Sequence, residues 1–150
     1  MTSPDLIARD YHDHAHGPVH ARVELTYEAR FLRRKVLHLD DGRALLVDLP
    51  KTTSLNHGGV LLLEDGRAVE IHAAPEDLLE ITGGDMVRIA WHVGNRHTPC
   101  QIEQHRLLIQ PDKVIAEMLA LLGARTRQVR EPFTPEGGAY GHGRTHSHAH

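Results

Sequence analysis

The side chains with most capacity for chemistry lie at the end of the chain, in Gly141-His142-Gly143-Arg144-Thr145-His146-Ser147-His148-Ala149-His150. Imidazole near neutral pH is largely uncharged, and its ring nitrogens are strong ligands for nickel, zinc and copper. The residues between these histidines are too small and polar to pack a core. Such a tail can wrap a metal ion but cannot build an enzyme pocket, so the chemistry it points to is holding and passing a metal.

A second histidine feature is internal, His92-Val93-Gly94-Asn95-Arg96-His97. Five residues along an ideal helix turn the side chain by roughly 140° from its starting face. His92 and His97 therefore need not share one ion. Gly94 and Asn95 are expected to break the helix and leave His97 just past its end, which makes His97 the better ligand candidate. The plainer reading of any lone histidine is a surface or hydrogen-bonded side chain. One imidazole alone is a poor site, because nickel and zinc take four to six ligands. Two-fold pairing of chains, bringing His97 from each subunit to one axis, would supply a second nitrogen, and the tethered tails could add more.

These residues need elements to position them. Alternation at Val23, Leu25 and Tyr27, and the runs Leu45–Leu49 and Val60–Leu63, read as strands. Asp41-Gly42 and Asp65-Gly66 lie between β-forming segments and predict hairpin turns. Residues 50–59 read as a loop between strands. After Pro75 the period changes. Met86, Ile89, Ala90 and Val93 predict an amphipathic helix opened by Asp85. Val114, Ile115, Met118, Leu119 and Leu122 predict a second, entered through Pro111-Asp112 and closed by Gly123. Residues 100–104, 106–110 and 126–130 are strand candidates.

Taking 68–73 as the first strand of the second half gives β-α-β-β-α-β, the order of a ferredoxin-like fold. The expected architecture is α+β. A flexible leader over 1–20 precedes a β-rich domain over 21–74; a ferredoxin-like domain over 75–135 and a flexible His-rich tail over 136–150 follow.

Composition narrows the function. The chain has 150 residues, is 40% hydrophobic and 25% charged, and carries a net charge of −3 with histidine neutral. Its basic residues are scattered, which argues against nucleic acid, since phosphate binding needs a clustered cationic face. No apolar run approaches the roughly 18 residues of a membrane span. Met1-Thr2-Ser3-Pro4-Asp5-Leu6 does not resemble a secretory signal. Cys100 stands alone, so no internal disulfide is available and a cytoplasmic location is expected. Its simplest role is a buried strand residue rather than a soft ligand. His20, His38, His57, His72 and His105 read as structural or solvated. For His12, His14 and His16 the sequence leaves two readings open, an extra metal arm or polar filler.

The segment Trp91-His92-Val93-Gly94-Asn95-Arg96-His97-Thr98-Pro99 resembles the Gly-Asn-Arg-His signature of UreE, the urease accessory nickel chaperone family. Leu49-Pro50-Lys51, Leu62-Leu63-Glu64-Asp65-Gly66-Arg67, Glu70-Ile71-His72-Ala73-Ala74-Pro75-Glu76 and residues 137–146 are similar to that family in the same order. The resemblance implies a peptide-binding-like β domain, a ferredoxin-like metal domain and a homodimer able to pair further. It implies nickel on His97 at the dimer interface, with His92 an accessory position. The tail residues His142, His146, His148 and His150 would add ions or complete coordination. It also implies partners: a UreG-type maturation GTPase and the apo-urease accessory complex. Imidazole sites also suit Zn²⁺ and Cu²⁺, so nickel rests on the resemblance. One departure concerns the start of the second helix. Relatives often carry metal-binding histidines there, whereas Gln110-Pro111-Asp112-Lys113 stands here.

The function expected is a non-enzymatic nickel metallochaperone for urease assembly, working by ligand exchange. Two other classes compete. A metal-buffering adaptor would use its β domain to hold a peptide. A metal-dependent hydrolase would need a closed three-ligand site with a general base, such as His-Glu-x-x-His, and no such motif occurs.

Overall fold

The computed structural model describes residues 6–137. The fold is α+β, in two compact units, Met1–Ala74 and Pro75–His150.

The first unit is one six-stranded sheet. Its strands are β1 (Leu6–His12), β2 (Ala21–Leu25), β3 (Phe31–His38), β4 (Ala44–Ser54), β5 (Val60–Leu63) and β6 (Ala68–Ala73). They lie in the order β2-β6-β5-β1-β4-β3. Alternation decides which face is buried: Ala21, Val23 and Leu25 of β2 point inward while Arg22 and Glu24 face out. Leu45, Val47 and Leu49 do the same on β4 and join an aliphatic core with Leu61, Val69 and Ile71. Both Asp-Gly turns form as expected. Gly42 and Gly66 take φ values of 87° and 88°, and each preceding aspartate accepts the N–H of the arginine two residues on at 3.0 Å. In each turn the glycine follows the two central residues, its N–H bonded to Leu39 O or Leu63 O at 2.9 Å, and left-handed backbone there is what glycine permits.

Two expectations fail in this unit. The leader is not wholly flexible, because Leu6–His12 forms β1 inside the sheet, parallel to β4 and antiparallel to β5. Leu6 and Ala8 are buried there, so burial outweighs the short, polar look of the segment. The loop expected over 50–59 is shorter, since β4 runs on to Ser54. Its register with β3 jumps from Arg34↔Asp48 to Leu32↔Thr53, and Pro50 falls inside that irregularity, where its missing N–H interrupts no ladder bond. Arg30 is 2% exposed and donates to the carbonyls of Leu25 (2.9 Å) and Leu55 (3.2 Å), tying the β2–β3 turn to the end of β4.

The second unit follows the order β7 (Pro75–Thr82), α1 (Met86–Asn95), β8 (Cys100–Ile102), β9 (Leu107–Ile109), α2 (Lys113–Leu121), β10 (Arg125–Pro132). Its sheet order is β10-β7-β9-β8. The opening strand is therefore β7 and not 68–73, which pairs in parallel with β2 in the first unit. Pro75 starts β7 rather than ending a strand. The adjacent Leu78 and Leu79 blur its alternation, yet it pairs with β10 over its whole length. Ile89 and Val93 of α1 and Ile115 and Leu119 of α2 share a core with Leu79, Ile81, Leu107 and Ile109. In the turn before β9, Arg106 binds Glu80 of β7 at 2.9 Å, Glu131 of β10 at 2.6 Å and Glu103 at 3.0 Å, clasping two strands to the β8–β9 turn. Among the described residues no helix is long and apolar enough to cross a membrane.

Candidate metal site

His97 is positioned by α1, whose two ends are built differently. At its start, the Asp85 carboxylate accepts the Arg88 N–H at 3.2 Å, filling an orphan donor of the first turn. Buried Ile89 and Val93 fix the helix rotation. At its end, the helix stops at Asn95, where Gly94-Asn95 was expected to break it, and leaves His97 just past the end. Arg96 caps it by donating to Val93 O at 3.1 Å, and the His97 N–H donates to Gly94 O at 3.0 Å. His97 has φ 58°, the one non-glycine residue with positive φ among the described residues. This left-handed position after a helix usually belongs to glycine, and a β-carbon there costs about 1–2 kcal/mol. A histidine held in strained backbone at an exposed helix exit is a functional signal.

Beside His97 the surface forms a pocket with Thr98, Pro99, Gln110, Pro111 and Asp112. The stretch before α2 thus lies next to His97. Asp112 is engaged there as the α2 N-cap, one oxygen accepting the Ile115 N–H at 3.0 Å. Among the described residues no group of three or more His, Cys, Asp or Glu side chains is gathered so as to hold a metal. One chain's described residues therefore do not close a coordination shell around His97.

The other expected ligands fall elsewhere. His92 lies on α1 with its ring edge-on to Trp91 at 5.0 Å, lining a different pocket with Asp85, Val87 and Arg88. The separation of His92 from His97 expected from helix geometry is thus what the backbone produces. His142, His146, His148 and His150 lie outside the described residues. Cys100 is half-buried in β8, and burial, with Glu136 adding to it, pushes its thiol up to about 11. It stays protonated at neutral pH, which makes it a poor ligand. His57 accepts the Ala73 N–H at 3.0 Å, His72 pairs with Glu70 and His20 with Arg67, all of them structural engagements.

Sequence reasoning overlooked one surface. Val87 and Trp91 are 84% and 64% exposed on the α1 face opposite Ile89 and Val93. A second apolar row at i and i+4, offset two residues from the core row, was the available signal.

Comparison with known proteins bears on these observations. Residues 6–74 match the family model for the UreE urease accessory protein N-terminal domain, and residues 76–150 match that for its C-terminal domain. The chain belongs to the UreE family. It is 63% identical over 147 residues to the urease accessory protein UreE of Ruegeria sp. (strain TM1040), covering 97% of this chain and 84% of that one. Against UreE of Ruegeria pomeroyi it is 66% identical over 129 residues, 86% of this chain and 87% of the relative. UreE of Rhodobacter capsulatus is 56% identical over 128 residues, 85% of this chain and 81% of its own length. The Gly94-Asn95-Arg96-His97 word, with its strained last residue, falls within the UreE C-terminal match.

Proposed function

We propose that this chain is a nickel metallochaperone that binds Ni²⁺ as cargo and delivers it during assembly of the urease metal centre. The observation that carries this reading is His97 itself, an exposed imidazole fixed in left-handed backbone at the end of α1. In the proposed homodimer, two copies of His97 meet on a two-fold axis, and His142, His146, His148 and His150 complete the shell. His92 is a neighbouring, accessory nitrogen. The exposed apolar residues Val87 and Trp91 on one face of α1 support a self-associating surface. Residues 75–135 form the ferredoxin-like metal-binding domain, and residues 6–74, with β1 in their sheet, the peptide-binding-like domain.

The work is ligand exchange without catalysis. Deprotonated imidazoles bind the ion, and protons or competing ligands release it. The recipients are a UreG-type GTPase and the apo-urease accessory complex, in the cytoplasm. Calorimetric nickel titration of the wild type and His97→Ala tests the reading. The tightest site should weaken by at least about tenfold, the lower end of what losing even an outer-shell partner costs. Urease activation should fall with it. Unchanged nickel affinity together with intact activation would sink the proposal.

A further inference from the structure

The first unit carries three histidines that the family reading does not use. His12 ends β1, and His14 and His16 follow it at alternate positions before Gly17-Pro18. Their rings have come together: His14 and His16 centroids are 4.6 Å apart, and His12 and His16 centroids 6.0 Å apart. Two imidazoles bound to one ion, with metal–nitrogen bonds of about 2.0–2.1 Å and angles near 90–110°, have centroids roughly 4.5–5.3 Å apart. The first pair already has that spacing. The second exceeds it by less than about 1 Å, within reach of side-chain rotation on an exposed loop. The rings meet at interplanar angles of 62° and 88°, and as they stand the three are not gathered closely enough to hold an ion.

The base of this cluster is rigid. His12 pairs with buried Val60 across β1 and β5. Tyr11 beside it accepts the Asn56 N–H at 2.7 Å and donates to the Asp13 carboxylate, which also accepts from the Asn56 side-chain amide at 3.2 Å. Asp10 accepts from His12 Nε2 at 3.2 Å, and its other oxygen accepts the Tyr11 N–H at 2.9 Å. A carboxylate on Nε2 fixes the tautomer and leaves Nδ1 as the nitrogen offered to a metal, the usual outer-shell arrangement of a metal-bound histidine. Asp10 and Asp13 also supply negative charge beside an incoming cation.

We infer that His12, oriented by Asp10, forms with His14 and His16 a second metal site that closes around one borderline divalent cation per chain. Imidazole ligands place Zn²⁺, Ni²⁺ and Cu²⁺ in its range. The site belongs to the first unit and stands independently of the His97 reading.

Zinc alone, titrated into the full chain, is the test. Ring nitrogen–proton spectra should show His12, His14 and His16 shifting together, and His12→Ala/His14→Ala/His16→Ala should bind one zinc fewer per chain. His14→Ala/His16→Ala changes only exposed side chains beyond β1 and guards against a folding defect; it should lose the same ion at an unchanged Tm. Asp10→Asn should keep the count and weaken that ion about 10–100-fold. An undiminished zinc count in the double variant, or three rings unmoved by excess zinc, overturns the inference. His97→Ala should leave this ion in place, so this inference and the nickel-carrier reading can each fail without the other.

Discussion

His97 couples two demands that oppose each other. The proposed metal site wants its imidazole at the helix exit, whereas the backbone disfavours its β-carbon, because φ is 58° where glycine would sit without strain. His97→Gly should therefore stabilise the second unit, by up to about 1 kcal/mol after the extra chain entropy of glycine is counted. It should also abolish the tightest nickel binding. Urea unfolding checks the first effect, with the midpoint rising at constant slope, and nickel titration checks the second. His97→Ala keeps the β-carbon, so it should lose the metal without gaining stability. A glycine variant no more stable than the alanine variant would show that the left-handed backbone there carries no strain. Cys100, only three residues away, illustrates the other limit. Burial there suppresses ionisation, so proximity to His97 does not make the thiol a ligand.

Arg106 shows how strands are held where apolar burial is thin. It is largely covered and binds carboxylates from β7 and β10 as well as Glu103, which its sequence neighbourhood does not announce. The hydrogen bond from Arg106 holds both Glu80 and Glu131 below the usual 4.5. Depressed carboxylate values mean the stabilisation is complete above about pH 4.5 and is lost as pH falls through the lowered values. Arg106→Met should cost about 2 kcal/mol at pH 7, between an exposed and a buried pair. Its stability should then fall less steeply than wild type between pH 5 and pH 3. Equal slopes in the two proteins would remove the clasp as the cause. Elements of this kind mark where sequence reading stops. Both helices were readable, because Met86, Ile89, Ala90 and Val93 repeat at helical spacing and Asp85 and Asp112 announce their caps. The Asp-Gly turns were readable for the same local reason. β1 and β7 were not: one is short and ends in polar residues, the other begins with proline, and each becomes a strand only through partners distant in sequence. His97 could be placed just past α1, yet its left-handed backbone could not, since Gly94 and Asn95 are the residues that ordinarily end a helix.

Across the whole chain, the histidines divide into groups with different costs of use. His97 is held by the backbone of α1, so offering its nitrogen to an ion orders little that is not already ordered. The histidines of residues 142–150 follow Gly-rich, polar sequence, and fixing each backbone residue around an ion costs on the order of 1–2 kcal/mol. In the proposed site, tethering would compensate with a local concentration on the order of millimolar, enough to recruit these nitrogens but not to make them the strongest. Deleting residues 142–150 should therefore reduce the number of nickel ions bound more than it reduces the affinity of the tightest one. Calorimetry on full-length and shortened protein distinguishes the outcomes. A shortened protein with full stoichiometry would mean that the tail holds no ion of its own. A collapse of the tightest affinity would mean that tail nitrogens, rather than a second His97 across a two-fold axis, complete the first shell. The predicted result, fewer ions with the strongest retained, is the one in which a fixed nitrogen anchors the cargo and a tethered arm enlarges the load.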